Sequence, residues 1–447
     1  MQLTNMQEAI YSVYQSYMRA KEHIPPLDDS HTRSPFLTRQ LLDAIGSPDQ
    51  NQNIILVTGS KGKGSTSRFI SSILGNHGYK VGFFTSPHLV DFNERIRING
   101  KAISDEDFIR LANQVVAPAA KIESTLSPAQ YQGPVGIALA IALLYFQENE
   151  TDFLVIESGR GGRFDDVNVL NNEWAVVTPI LEEHVPNLGP TIDHIIYHKL
   201  GIVKENTKHL FLSKQDEEVL QKINLASLSS QAHIYKQHYT ANDISLTSTG
   251  TQFDISTSTN EYKDVSIPLL GKFQAENAAT AIEVCETILG DKIDQDIVKR
   301  TLHNIQWPGR CEVIAQEPTV VVDGSINRKS AIYVKEMIET LQPKRVVSII
   351  GVPKDKDYEG VIEVCNTFSD SLILSKPDYS YKEFPADALS IAKQLNPESK
   401  EYEQLSEAIT NTYDTLQKED LLLIIGTQTF IGNALQIWNR SLLDIGI

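Results

Sequence analysis

The order of apolar runs and glycine turns predicts an α/β chain in two parts. The first observation is a glycine-rich turn, Gly59, Ser60, Lys61, Gly62, Lys63, Gly64, Ser65 and Thr66, set between an apolar run and a helical pattern. The second is a series of strand-like apolar runs at 54–58, 81–85, 153–157 and 174–178, separated by amphipathic stretches. Such alternation marks a parallel sheet covered by helices. The third is its restart near residue 310, with runs at 319–323, 346–350, 371–374 and 421–425. Together they predict a P-loop nucleotide-binding parallel-sheet domain over 1–306 and a smaller C-terminal Rossmann-like α/β domain over 307–447.

Residues 1–50 read as helices, with Ile10, Val13 and Tyr14 at helical spacing and a second apolar patch at Leu41, Leu42 and Ile45. Next comes the glycine turn. The helix behind it carries Phe69, Ile70, Ile73 and Leu74 on one face and has Gly78 past its end. Strand, glycine loop and helix make a phosphate cradle: loop N–H groups and the positive helix end face an anion while a lysine reaches between phosphates. The spacing departs from the commonest P-loop, because Lys63 lies four positions after Gly59 and Gly64 separates it from Ser65. A surface turn with two solvated lysines is the alternative. Residues 229–268, rich in Ser, Thr, Asn and Tyr, read as a small antiparallel patch. A helix over 275–289 follows, with Ala278, Ala279, Ile282 and Leu289 inward, and the second domain has a helix at 331–341.

A net charge of −17 and a pI near 5.1 argue against a nucleic-acid partner, which needs clustered cations to neutralise phosphates. An acidic chain that handles ATP must hold cations locally, which points to Mg²⁺. Cys285, Cys311 and Cys365 are widely spaced and odd in number, so no disulfide framework follows and a reducing compartment is expected. There is no 18-residue apolar run and no basic-then-apolar start, so no membrane association is expected and the cytoplasm is the expected location.

Three further residues, Ser86, Glu157 and His184, follow strands of a parallel sheet, where ligand loops leave it, and a fourth, Lys199, lies on a helical stretch. Ser86 follows the second strand in Thr85-Ser-Pro-His-Leu89, where a hydroxyl can ligate Mg²⁺ or simply belong to a proline turn. Glu157 ends a strand before Ser158-Gly-Arg-Gly-Gly-Arg163, a place for a metal–nucleotide carboxylate or a helix-capping glutamate. His184 reads singly as a structural group and Lys199 as a solvated helix lysine, and both acquire meaning only together with the others.

Together these segments resemble the signatures of folylpolyglutamate and dihydrofolate synthases, members of the Mur ligase superfamily. The matches are 59–66, 85–89, Asn93-Glu-Arg-Ile96, 157–163, Leu188-Gly-Pro-Thr191, Lys199-Leu-Gly-Ile202, Gly271 with Gln274 and Asn277, Trp307-Pro-Gly-Arg310, and Asp355-Lys-Asp357. The resemblance implies that a carboxylic acid takes the γ-phosphoryl group of ATP and an amine then displaces phosphate, leaving an amide and ADP. It implies Lys63 as the phosphate lysine and Ser86, Glu157 and His184 as Mg²⁺ ligands. Lys199 corresponds to a lysine that becomes carbamylated for a second ion. Asn277 corresponds to an adenine contact, and Arg310 and Asp323 to groups closing onto ATP. His88, Arg95 and Tyr131 are expected around the acid substrate, and a monomer is the expected state.

Three departures bear on substrate. The family's Asp-Gly-Ala-His-Asn-Pro reads Asp323-Gly-Ser-Ile-Asn-Arg328 here, so Ile326 stands where an imidazole would and Arg328 could act from a shifted position. Residues 129–135 lack the Phe-Glu pair of folate-using relatives. Lys61 replaces an asparagine and Arg160 an apolar residue, both expected to add positive charge near the ligands. The default reading is a folate joined to L-glutamate. A non-folate acid and a catalytically weakened ATP-binding homologue are the alternatives, while a GTPase lacks its Asn-Lys-X-Asp motif.

Overall fold

The computed structural model describes residues 2–183, 185–225, 230–247, 249–378, 382–440 and 442–447. His184 therefore lies outside the described residues. Strands β1 (Ile54–Thr58), β2 (Val81–Phe84), β3 (Ile96–Ile98), β4 (Lys101–Ala102), β5 (Phe153–Glu157), β6 (Trp174–Val177), β7 (His209–Leu212) and β8 (Gln231–Ile234) form one eight-stranded sheet. Its order is β4-β3-β2-β5-β1-β6-β7-β8. The six strands from β2 to β8 in that order run parallel. The edge hairpin β3–β4 is antiparallel, a feature too short to stand out in the sequence.

Strand β1 is buried along its whole length, which is why Ile-Ile-Leu-Val shows no alternation. It lies between β5 and β6, so the cradle loop, the loop after Glu157 and the loop after β6 leave the same sheet edge side by side. The helix Lys63–Asn76 covers one face. On the other face lies Pro134–Glu148, an apolar helix buried nearly all round beneath the N-terminal helices Met6–Ala20 and Pro35–Ala44. Strands β9 (Thr240–Thr247), β10 (Gly250–Ser256) and β11 (Glu261–Ile267) make the small antiparallel sheet, as their polar alternation predicts. The helix Lys272–Leu289 begins three residues before the expected start and packs on the cradle helix.

The second lobe holds β12 (Glu312–Gln316), β13 (Thr319–Asp323), β14 (Val346–Gly351), β15 (Ser371–Leu374), β16 (Lys400–Glu401) and β17 (Leu421–Gly426). The order is β12-β13-β17-β14-β15-β16, parallel except for the β12–β13 pair. Its two apolar faces are each covered by helices and form separate cores. No helix among the described residues is long and apolar enough to cross a membrane. All three cysteines are buried and free.

Candidate active site

The cradle is built by close backbone packing. Gly62 has φ +82° and lies so near Asn277 that an added Cβ would stand 2.5 Å from its Oδ1. Only glycine combines that left-handed conformation with that approach. The Lys63 ammonium donates to the Gly59 carbonyl at 2.8 Å, which curls its side chain over the loop. Ser60 locks the loop to the segment after β6: its N–H donates to the Pro179 carbonyl at 2.7 Å and its Oγ accepts from the Leu181 N–H at 2.9 Å. Thr66 Oγ1 is buried without a hydrogen-bond partner.

Glu157 reaches the cradle from β5. Its Oε2 accepts a hydrogen bond from the Thr85 hydroxyl and lies 3.4 Å from the Ser86 N–H, which puts the Ser86 main chain beside Glu157. Burial pushes the Glu157 carboxyl above its usual range, opposed by the charges of Lys63 and Arg310. A cation placed there would relieve this uncompensated carboxylate. Thr85, which the sequence reading passed over beside Ser86, is its closest partner.

Lys199 is wholly buried, with its Nζ donating to Glu183 Oε1 at 3.0 Å and to the Arg160 carbonyl at 3.3 Å. Burial, with repulsion from Lys63, brings its pKa down from the ordinary lysine value to about 8. Gly162 allows the glycine loop to lie against this lysine, since an added Cβ would stand 2.6 Å from the His198 carbonyl. Burial likewise lowers Lys61, whose field is shared by Glu183, Lys63, Arg310 and Asp323. Lys61, Lys63, Glu157, Arg310 and Asp323 are thus brought electrostatically together from both lobes.

Asp323 is held by groups of its own lobe. Its Oδ2 accepts from the Cys311 N–H at 2.9 Å, and its Oδ1 from the Ser325 N–H and hydroxyl. It anchors the loop that carries Arg310, whose Nη1 lies beside Gly324. Ile326 packs against the second lobe's core, and Arg328 pairs with Glu363 on an exposed surface. The cation in place of proline is thus engaged by a carboxylate of its own lobe.

On the acid side, Arg95 Nε donates to His88 Nδ1 at 2.9 Å, and the guanidinium lies over the Phe92 ring at 4.7 Å. Burial and Arg95 push the His88 pKa down to about 4, so His88 is a neutral acceptor. Tyr131 belongs to another cluster: it packs edge-on to Tyr17 and feels Arg33, Asp166, Asp29 and Arg160. Arg160 forms a bidentate pair with Asp29, and Arg33 bridges Asp29 and Asp165. The positive charge expected from Arg160 is therefore neutralised within the protein. Asp29 and Arg33 pair locally, but their other partners, Arg160 and Asp165, lie about 130 residues away, so the sequence did not mark them.

Between the lobes lies a cavity lined by Thr85, Pro87, Arg97, Trp307, Arg310 and Gln428 among others. Arg97 Nε, Trp307 Nε1 and Gln428 Oε1 are buried without hydrogen-bond partners. Among the described residues no group of three His, Cys, Asp or Glu side chains is arranged to hold a metal ion. Magnesium asks for less, since one carboxylate, hydroxyls and phosphate oxygens suffice, and Glu157 with the adjacent Thr85 and Ser86 fits that donor set.

This combination, a glycine-loop phosphate cradle facing a second α/β lobe across a polar seam, defines a nucleotide-dependent two-lobed class. The Mur ligase middle-domain model matches residues 57–285 and the Mur ligase glutamate-ligase-domain model residues 309–428. A dihydrofolate synthase/folylpolyglutamate synthase of Bacillus subtilis (strain 168) is 31% identical over 409 residues, covering 88% of this chain and 92% of that protein. A folylpolyglutamate synthase of Lacticaseibacillus casei is 29% identical over 335 residues, covering 72% and 76%. In fold, a Mycobacterium tuberculosis folylpolyglutamate synthase solved with ADP and AMPPCP superposes with a TM-score of 0.85 at 23% identity, over 97% of this chain and 99% of that one. The chain belongs to the Mur ligase family, in its folylpolyglutamate/dihydrofolate synthase branch.

Proposed function

We infer that this chain is an ADP-forming ligase that joins a carboxylic acid, by default a folate, to an amino acid, by default L-glutamate. The observation that carries the reading is the meeting of Lys63, Glu157 and Arg310 at the seam between the lobes. Phosphoryl transfer concentrates charge on the moving group, and stabilising it is a matter of positioned cations. Lys63 neutralises phosphate charge from the loop. Arg310 adds a guanidinium from the second lobe. Glu157, with Ser86 and Thr85 beside it, would hold Mg²⁺, which would supply positive charge against the phosphates. Enclosure between lobes shields an acyl phosphate from water.

Lys199 supplies a second carboxylate only after reaction with CO₂. A buried lysine with a pKa of about 8 keeps a useful fraction of neutral amine near pH 7, and the Arg160 carbonyl and Glu183 hold that amine in place. His184 would join Ser86 and Glu157 at the metal. The buried, unpaired cysteines fit a reducing compartment, so we place the protein in the cytoplasm, acting as a monomer.

A specific observation keeps a non-folate acid as the second reading. The acid side around Tyr131 is occupied by a network of Asp29, Arg33, Arg160 and Asp165 whose charges already satisfy one another. Incubation with ATP, Mg²⁺ and L-glutamate plus dihydropteroate, tetrahydrofolate or other acids, read by mass spectrometry, separates the two. A glutamylated folate with equimolar ADP is expected. ADP formation only with a non-folate acid supports the second reading, and no product from any acid overturns both.

A further inference from the structure

Two buried arginines, Arg68 and the cavity-lining Arg97, have been given no role so far. Arg68 lies on the cradle helix, five residues after Lys63, and is 1% exposed. Arg97 lies on β3, 2% exposed. Neither guanidinium forms an ion pair among the described residues. Each is held by main-chain carbonyls instead, and those carbonyls come from unusual places.

Arg68 Nε donates to the carbonyl of Gln306, next to Trp307 and Arg310 in the connection between lobes, at 3.1 Å. Its Nη2 donates to the carbonyls of Ile445 and Gly446, at 2.8 and 2.9 Å. Arg97 Nη2 donates to the Leu442 carbonyl at 2.6 Å. The segment 442–447 has left the second lobe and crossed to the first. It pairs with the edge of the large sheet: the Ala102 N–H donates to the Leu443 carbonyl at 2.7 Å, the Ile445 N–H to the Gly100 carbonyl at 3.2 Å, and Lys101 bridges Asp444 antiparallel. Ile447 packs where a Cβ on Gly75 would stand, 2.6 Å from its Cγ2. Leu442 and Ile445 also line the seam cavity with Trp307 and Arg310.

Burying a guanidinium without a carboxylate partner is costly, and carbonyl acceptors relieve that cost only in a fixed geometry. Burial and the neighbouring Arg97 lower the Arg68 pKa to about 9, a measure of how little charge compensation it has. One planar fork therefore ties the cradle helix, the interlobe connection and the crossing strap to each other.

We propose that Arg68 is a positioning residue: it clamps the strap 442–447 and the Gln306 connection onto the cradle helix, and so fixes the lobe orientation that brings Arg310 over the phosphates. This rests on the ligase reading for its kinetic consequence but not for its structural one. Removing the fork frees the second lobe to sample other orientations, while Lys63 and the loop that binds nucleotide keep their places.

The test uses the full chain with spin labels at the exposed positions Lys208→Cys and Lys418→Cys, one on each lobe, the native cysteines being buried. Interlobe distances are measured by pulsed electron resonance, alongside nucleotide affinity and steady-state kinetics. In Arg68→Met the distance distribution is expected to broaden and kcat to fall roughly tenfold or more, with nucleotide Kd within about threefold of the parent. Arg68→Lys, which retains one donor direction, is expected to recover part of both. An unchanged distribution in folded Arg68→Met would overturn the proposal. So would a nucleotide Kd that weakens in proportion to kcat, since that would place Arg68 in support of the cradle alone. A parent that binds nucleotide but turns over no acid defeats the ligase reading while the distance measurement still decides the clamp.

Discussion

The cradle and the loop that faces it, Asp323–Arg328, are both polar, yet they treat their polar groups in opposite ways. In the cradle, Glu157 is buried with less compensation than it needs, Thr66 Oγ1 is unpartnered, and Lys199 is depressed to about 8. In the facing loop, Asp323 accepts from Cys311 and Ser325, Ile326 packs half-buried against the core, and Arg328 pairs with Glu363. Unsatisfied charge inside a protein is expensive and persists where a ligand completes it. Reactive capacity is therefore concentrated in the first lobe. The second lobe contributes Arg310 on a rigidly anchored turn.

Breaking the cradle has the largest expected effect. Lys63→Ala should lower ADP release at least about 100-fold, by removing a preorganised cation from the phosphates. Glu157→Gln should cost on the order of 100-fold and abolish the dependence on Mg²⁺ concentration, measured in the same assay. A milder response in either variant would mean that the first lobe is not where charge is handled.

Lys199 sharpens the comparison through pH. Its folded pKa lies below the ordinary lysine value, so the neutral amine that reacts with CO₂ grows as pH rises through about 8. Activity at fixed bicarbonate should rise between roughly pH 7 and 9, and ¹³C-bicarbonate should give a carbamate resonance. Lys199→Ala should lose most activity and regain some with formate or acetate. Near-normal activity without additives would refute the carbamate. His88, at about 4, titrates too low to produce that rise.

The facing loop should yield the smallest effects. Ile326→His, which restores the family's imidazole, places a polar ring against an apolar core and should cost about 1–3 kcal/mol in thermal or urea unfolding, with little gain in turnover. Arg328→Ala should change stability by less than about 0.5 kcal/mol and leave KM for the amino acid unaltered, because its ion pair is exposed.

Much of this was legible in the sequence, for identifiable reasons. Strands buried on both faces announce themselves as unbroken apolar runs, so β1, β5, β6, β13, β14, β15 and β17 were located within a residue or two. The cradle and Glu157 were visible because their chemistry is local, a glycine turn and a strand-ending carboxylate. What escaped depends on distant partners. The role of Asp323 as an anchor could not be read without Cys311 beside it. The expected charge of Arg160 vanished against Asp29, and the partners of Arg68 in the strap lie 377 residues away. The edge strands β3, β4 and β12 take their direction from pairing rather than composition.

The most direct test of activation at the lobe seam follows oxygen rather than product. An acid substrate labelled with ¹⁸O in its carboxylate is incubated with the enzyme, ATP, Mg²⁺ and the amino acid, and the released phosphate is analysed by mass spectrometry. Attack of the carboxylate on the γ-phosphoryl group carries one labelled oxygen into phosphate for each amide formed. Amide formation with unlabelled phosphate would contradict an acyl phosphate and the account built on it.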